Sequence, residues 1–206
     1  MIGAVERSAE RDAALRAMLP WVERLGWTQA ALVAGGVAPL EAELLFPGGT
    51  PALLEAFCDL ADRDMEQGAI ALGVAEQRLS RRVRSLIALR LQQAGAHRAA
   101  VRRAVAQLAR PCHAALAARC TARTVDSIWH AAGDASADFS WYTKRAILAG
   151  VWSSTLLFWL GDHAEDDSAT LAFLDRRLAG VARIGKLRGR VEGALARLRP
   201  NRAEAA

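Results

Sequence analysis

The chain has 206 residues, is 52% hydrophobic and carries a net charge of +5. That length supports one large domain, or a domain with a small appendage, and enough apolar side chains for a true core. Alanine, leucine and arginine dominate, an alphabet that argues against a strand-rich fold. Cys58, Cys112 and Cys120 form no C-x-x-C pair, and their odd number fits a reducing compartment better than a disulfide frame. The positive balance points to an anionic partner, either nucleic acid or an acidic membrane face. The opening MIGAVERSAERD has the character of neither a secretory signal nor a transit peptide, so the expected location is the bacterial cytoplasm.

The elements read as helix, break, helix. Over 11–25, Leu15, Met18, Leu19, Val22 and Leu25 recur at helical spacing, and Gly26 and Trp27 end the element. Thr28 is placed to cap a short helix, TQAALVAGG, which its paired glycines stop. APLEAELLF follows as a second short helix, with Pro39 near its first turn. Pro47, Gly48 and Gly49 break it, and Thr50 is placed to cap PALLEAFCDLADRDMEQ. Two short helices around a glycine-containing turn make a helix-turn-helix arrangement. Its place at the head of an all-helical chain of this length resembles the TetR-type regulators, although any small three-helix module has the same outline.

Two arginine-rich helices come next, over 78–95 and 97–110. Their apolar rows are Leu79, Val83, Leu86 and Ile87, then Val101, Val105 and Leu108, with arginines on the remaining faces. Pro111 ends the second. Residues 113–132 form one or two further helices, stopped by a left-handed Gly133. The turn ASADFS offers Asp138 or Ser140 as cap for a helix that runs to about Leu160. DHAEDDS is an acidic loop, and a final helical region extends from near Ala169 to about Arg199. AILAGVWSSTLLFWL would reach roughly 22 Å as a helix, short of a ~30 Å hydrocarbon layer. The expected organisation is therefore a helix-turn-helix-like subdomain over 1–66, a helical domain over 67–180, and a basic amphipathic C-terminal helix and tail over 181–206.

Charge argues against duplex binding. No lysine or arginine lies between Arg24 and Arg63, and the would-be recognition helix carries Glu41 and Glu43, which repel phosphates. Catalysis has no better support. None of His97, His113, His130 and His163 sits in a metal-binding pattern, and no P-loop, nucleophile elbow or dinucleotide fingerprint occurs. Asp126 with His130 reads as a helix-face hydrogen bond, and Asp134 with Asp138 as capping and turn residues rather than an acid–base pair. The expectation is no enzyme, no metal and no cofactor.

From Trp129 the chain stops being generic. WHAAGDASADFSWYTKRAILAGVWSSTLLFWLGD, followed by TLAFLDRRLAGV, resembles the ninth Coq protein family, lipid-binding accessory proteins of coenzyme Q (ubiquinone) biosynthesis. The family pattern W-H-x-A-G-D-x-S-x-D-F-N-W-Y-T-K-R is kept from Trp129 to Arg145, with departures at Ala131, Ala137 and Ser140. The resemblance implies an all-α, TetR-like bundle, a homodimer and a hydrophobic pocket for an isoprenoid quinone lipid. It also implies service to the di-iron demethoxyubiquinone hydroxylase without catalysis of its own. The alternative is a TetR-type ligand-responsive transcriptional regulator.

Residue roles follow on that footing. Ile128, Trp129, Trp141, Tyr142 and Lys144 form the expected partner-docking patch, since paired aromatic rings are enriched at interface hot spots. Trp141 has a second reading, closing the core over the turn by stacking on Arg145. The expected lipid contacts are Leu86, Ile147, Val151, Ser154 and Phe158. Within the oily helix, Ile147, Val151, Ser154 and Phe158 make one strip, and Leu148, Trp152 and Trp159 an adjacent one. One strip would line the lipid cavity and the other a dimer contact, or both would fill ordinary core. Ile184, Lys186, Leu187, Arg188, Arg190 and Val191 belong to a basic amphipathic helix suited to an anionic membrane surface, peripheral to the inner membrane, or to packing on its own domain.

Overall fold

The computed structural model describes residues 5–134, 140–164 and 166–181, with the side chains of Ser140 and Trp141 also outside the description. Helix α1 spans Ala9–Leu25. Ser8 caps it from an extended backbone, its Oγ accepting from the Arg11 amide at 3.2 Å. Ala14, Leu15, Met18 and Val22 make its buried row. Helix α2, Gln29–Ala34, crosses α1 so closely that a Cβ on Gly35 would sit 2.8 Å from the Ala17 carbonyl oxygen. Helix α3 covers Pro39–Leu45, with the proline in its first turn, and α4 covers Gly49–Ala71. Helix α4 is continuous through residue 66, the expected subdomain limit.

Two expected caps do other work. The Thr28 hydroxyl turns back to donate to the Leu25 carbonyl at 3.0 Å, and the Thr50 hydroxyl donates to the Trp27 carbonyl at 2.6 Å. Thr50 lies within α4 rather than before it, so its short side chain ties the start of α4 to the α1–α2 turn. Trp27 is fully buried there. Its Nε1 donates to the Ala100 carbonyl at 3.1 Å, and its ring lies 4.7 Å from that of Phe57. One side chain thus pins the small helices to the rest of the bundle.

The remaining helices are α5 (Leu79–Ala94), α6 (Arg98–Leu108), α7 (Ala114–Ala131), α8 (Ser140–Gly161) and α9, over 168–181. The 113–132 region is therefore one long helix after a short 3-10 turn at Pro111–His113. Leu53, Leu54, Met65, Leu86, Ile87, Ile128 and Trp159 are among the fully buried side chains of the bundle. The architecture is all-α. Among the described residues no helix is long and apolar enough to cross a membrane.

Arginine pairing replaces much of the expected solvated charge. Asp59 accepts from Arg7 and Arg63, and Arg63 also grips Asp12 through two bonds of 2.7 Å, joining α1 to α4. That contact holds the Asp12 carboxyl below its ordinary range. Deeper in, Arg90 Nε donates to Asp62 at 3.2 Å, and the Thr124 hydroxyl lies 2.9 and 3.0 Å from the two Asp62 oxygens. This knot links α4, α5 and α7.

At the end of α7, Gly133 is left-handed with φ +75°, as its position after the helix demands. The Asp134 amide returns to the Trp129 carbonyl at 3.1 Å, and Arg82 Nη1 covers the Ala132 carbonyl at 2.9 Å. A Cβ on Gly133 would lie 3.1 Å from that same guanidinium nitrogen.

Two outcomes follow from these contacts. Gly133→Ala should lose about 1–2 kcal/mol in urea denaturation, because it strains a positive φ and displaces the Arg82 cap; an unchanged midpoint would show that the α7 terminus relaxes freely. Burial raises the Asp62 carboxyl from 3.8 to about 6, against the downward pull of Arg90 and Thr124. Folding therefore favours its neutral form, a contribution present below about pH 4 and lost as pH rises through about 6. Asp62→Asn removes this titration. The stability deficit of Asp62→Asn relative to wild type should be larger at about pH 4.5 than at about pH 7.5, by on the order of 2 kcal/mol. A pH-independent deficit would mean Asp62 stays ionised throughout.

Candidate functional site

Helix α8 is apolar on nearly every face, so it must be covered on several sides at once. Leu148, Trp152, Thr155 and Trp159 turn inward and are buried. Thr155 satisfies its hydroxyl on the Val151 carbonyl at 2.7 Å, and Trp159 Nε1 donates to Asp167 at 3.1 Å. The second expected strip is therefore core, not a dimer contact. The first strip divides. Ile147 and Val151 face a cleft. Ser154 bonds its own helix at the Val151 carbonyl, 3.1 Å away, and Phe158 stacks on Phe173 of α9 at 4.5 Å.

The cleft has a volume of about 290 Å³. Helix α5 contributes Leu79, Ser80 and Val83, and α7 contributes Trp129. Lys144, Ile147, Leu148 and Val151 come from α8, and Leu178 and Val181 from α9. Eight of these ten side chains are apolar or aromatic. Lys144 Nζ sits 5.9 Å from the centroid of the Trp129 ring and 3.2 Å from Asp134 Oδ1, so the cation bridges the end of α7 to the first turns of α8. The Trp129 indole Nε1 is buried and has no hydrogen-bond partner among the described residues. Arg145, on the neighbouring face of α8, pairs with Asp126 of α7. That pairing takes up the carboxylate which the sequence had set against His130.

The structure thus brings together residues that the sequence had separated. Trp129 and Lys144, expected in a docking patch, share one cleft with Ile147 and Val151, expected lipid contacts. Tyr142 stands 71% exposed one turn away along α8. Two expectations are corrected. Ile128 and Leu86 are each 0% exposed, in the core, so neither reaches the docking surface or the cleft. Both obeyed the helical period, but the period does not say which neighbour covers a row. Trp141, as a side chain, and Ile184, Lys186, Leu187, Arg188, Arg190 and Val191 lie outside the described residues. Leu79, Val83, Leu178 and Val181 were missed as cleft residues, although Leu79 and Val83 stood out as an apolar row within an arginine-rich segment.

The face expected of a recognition helix is also visible. On α3, Leu40 and Leu44 are 71% and 73% exposed, and Glu41 and Glu43 are exposed beside them. An apolar, acid-bearing surface of this kind offers nothing to phosphates.

Residues 114–185 match the model of the COQ9 family. The chain is 31% identical over 181 residues to the Rattus norvegicus protein named ubiquinone biosynthesis protein COQ9, mitochondrial, covering 83% of this chain and 58% of that one. It is 30% identical to the Homo sapiens protein of the same name, covering 83% and 57%. A Dictyostelium discoideum protein, named probable ubiquinone biosynthesis protein coq9, mitochondrial, is 40% identical over 68 residues, 33% of this chain and 22% of its own. The chain thus spans less than two thirds of the length of these curated relatives. Among solved structures, one titled as the TetR transcriptional regulator from Nitrosomonas europaea ATCC 19718 superposes with a TM-score of 0.69 at 24% identity, covering 85% of this chain and 99% of that one. That likeness establishes a TetR-like fold and nothing further. The expected bacterial cytoplasmic location is overturned by these relatives, which are named mitochondrial. Composition could not separate the two, because any reducing compartment accepts a basic, cysteine-poor helical chain. Residues 114–185 thus carry a COQ9-family domain, and identity of about 30% to curated proteins named COQ9 extends over most of the chain.

Proposed function

We propose that this protein is a non-catalytic lipid-binding accessory factor of ubiquinone biosynthesis. On this reading it takes an isoprenoid quinone intermediate into the α5–α7–α8–α9 cleft and presents it to a membrane-associated hydroxylase, the di-iron demethoxyubiquinone hydroxylase. The observation that carries the reading is the cleft itself: apolar walls from four helices, with a few polar groups at one end, in a chain whose relatives are named for ubiquinone biosynthesis. Ligand sites have this composition because apolar walls supply burial while sparse donors orient the guest. The Trp129 N–H, without an acceptor among the described residues, and the Lys144 ammonium are suitable donors for the oxygens of a quinone head. A buried donor left unpaired costs about 1–3 kcal/mol, so a head-group oxygen that met it would gain accordingly.

Other features support the partners. Tyr142 is exposed close to the cleft, where an enzyme receiving the lipid would have to dock. Leu157 is 59% exposed on α8, an apolar surface in keeping with a homodimer. The sequence from Arg183 to Arg202 alternates basic and apolar residues in the manner of an interfacial helix, where each cation near an anionic surface adds about 1 kcal/mol. The regulator alternative is weakened by the acidic, apolar surface of α3.

Organic extraction of the purified protein followed by mass spectrometry should recover an isoprenoid quinone or a precursor. Ile147→Trp, which fills the cleft from its partly exposed wall, should lower that recovery at least about fivefold while helicity is kept. Wild-type protein with no isoprenoid, and no affinity for one, would remove the basis of the proposal. Tyr142→Lys should weaken hydroxylase binding at least about tenfold with lipid content unchanged, as loss of an interface hot spot does; undiminished binding would place the docking surface elsewhere. Deleting 183–206 should reduce flotation with anionic liposomes, and equal flotation would assign that segment to packing.

A further inference from the structure

A second space lies inside the bundle and shares no lining residue with the α5–α7–α8–α9 cleft. Its outer chamber, about 270 Å³, opens beside the Arg16–Asp64 ion pair between α1, α4, α5 and α6. Its inner chamber, about 80 Å³, is walled by α4 through α8. Phe57, Arg90, Ala94 and Val101 border both chambers, so the two meet at these residues.

Arg90 stands at the junction with only 7% of its surface exposed. Nε donates to Asp62 at 3.2 Å, and the guanidinium lies 5.9 Å from the centroid of the Trp152 ring. Asp62 is fixed in turn by the Thr124 hydroxyl. Among the described residues nothing accepts from Nη1 or Nη2 of Arg90. A guanidinium held through Nε in the wall of both chambers has two further nitrogens with which to donate to a guest there. Low local polarity strengthens whatever bond it makes.

Charge selects the acceptor. At pH 7.5, where Asp62 is ionised and balances Arg90, an incoming carboxylate would add a buried negative charge that this pair cannot neutralise, whereas a neutral carbonyl adds none. The thiol of Cys58 adds no charge, because its hydrogen bond with Cys120 and its burial push its ionisation well up. Size selects the body. A cavity of about 150 Å³ is enough for benzene, so the outer chamber has room for one substituted ring.

We propose that this space is a second small-molecule site, taking a compact neutral carbonyl compound with its oxygen on Arg90 Nη1 and Nη2 and its apolar body against Phe57 and Val101. The proposal is independent of the lipid reading. Each can fail alone, because the two spaces have no residue in common.

The test uses the full chain and three probes of one size: acetophenone, ethylbenzene and benzoate, titrated by ligand-observed NMR. Acetophenone should bind saturably, with ethylbenzene and benzoate each about tenfold weaker, as expected for loss of a charged hydrogen bond or burial of an unpaired charge. The double variant Asp62→Leu/Arg90→Met replaces the ion pair with apolar side chains, an exchange that folded proteins often tolerate. It should bind acetophenone and ethylbenzene alike. Ala94→Leu leaves the ion pair intact and fills the junction, so it should abolish binding of both, and it serves if the double variant does not fold. Equal wild-type affinity for ketone and hydrocarbon would overturn the proposal. So would absence of saturable binding, a tenfold preference retained in the double variant, or undiminished binding to Ala94→Leu. Isoprenoid content of the same preparations reports separately on the cleft.

Discussion

Helices α7 and α8 both end against other helices, where their last carbonyls lack intrahelical donors and cannot all turn to water. Arginines of α5 and α6 meet that need. Arg82 reaches the Ala132 carbonyl at the end of α7. Arg98 and Arg102 reach the carbonyls of Asp162 and Leu160 at the end of α8, at 2.8 and 2.7 Å. Arg98 also lies over the ring of Trp159, 4.3 Å from its centroid. A cation at a helix C-terminus is favoured twice, by the hydrogen bond and by the helix dipole. The cleft depends on these caps. Trp129 stands in the last turn of α7 just before the Arg82 contact, and Lys144, Ile147 and Val151 lie along the helix whose far end Arg98 and Arg102 hold. The surplus of +5 lies wholly in residues 182–206, where seven basic side chains face two acidic ones, so residues 1–181 carry equal numbers of basic and acidic side chains.

Helix α8 shows how an apolar helix can be surrounded without a membrane. Its inward face is packed by Leu148, Trp152 and Trp159, and polar atoms buried there are satisfied locally, Thr155 on its own helix and Trp159 on Asp167. Toward α9, coverage is by contact at one end, where Phe158 meets Phe173, and by the cleft at the other, which Ile147, Val151, Leu178 and Val181 all line. A cavity of this kind survives because its lining belongs to four helices that are each anchored elsewhere.

Helix boundaries were legible because glycine, proline and small polar residues mark them. Gly26, Gly133 and the Pro111 turn lie where the pattern placed them, since each has a local conformational reason. The inner and outer sides of helices were less legible. Leu86 and Ile128 fit the apolar period, yet the period alone could not distinguish a core row from a cleft row; that depends on which helix lies opposite, a property of distant sequence. Hydroxyl and guanidinium roles were hidden for a related reason. Thr28 and Thr50 have the composition of caps but bond to carbonyls of the neighbouring turn. Arg82, Arg90, Arg98 and Arg102 look alike in sequence, and only their tertiary partners separate a carbonyl cap from a buried ion pair. Asp62 gave no local signal at all, because its partners lie 28 and 62 residues away.

The size of the cleft bears on how lipid transfer could work. Small-molecule sites commonly enclose roughly 300–1,000 Å³, so on the proposed reading about 290 Å³ would hold a head group with a short length of tail and would leave the rest of a long isoprenoid outside. In water such a tail would be costly to expose, at about 0.8 kcal/mol per CH₂. Beside a bilayer it need not be exposed, and moving it between lipid and protein is close to neutral because hydrocarbon tails are as apolar as leucine. Deep enclosure of the whole chain would then add little net affinity relative to the membrane and would slow release. A shallow cleft that grips the head through one or two polar contacts, while the tail remains near the membrane, puts the selectivity where intermediates of one pathway differ, in the ring. In this chain the groups placed to make such contacts would be Trp129 and Lys144, the two side chains that join the end of α7 to the start of α8.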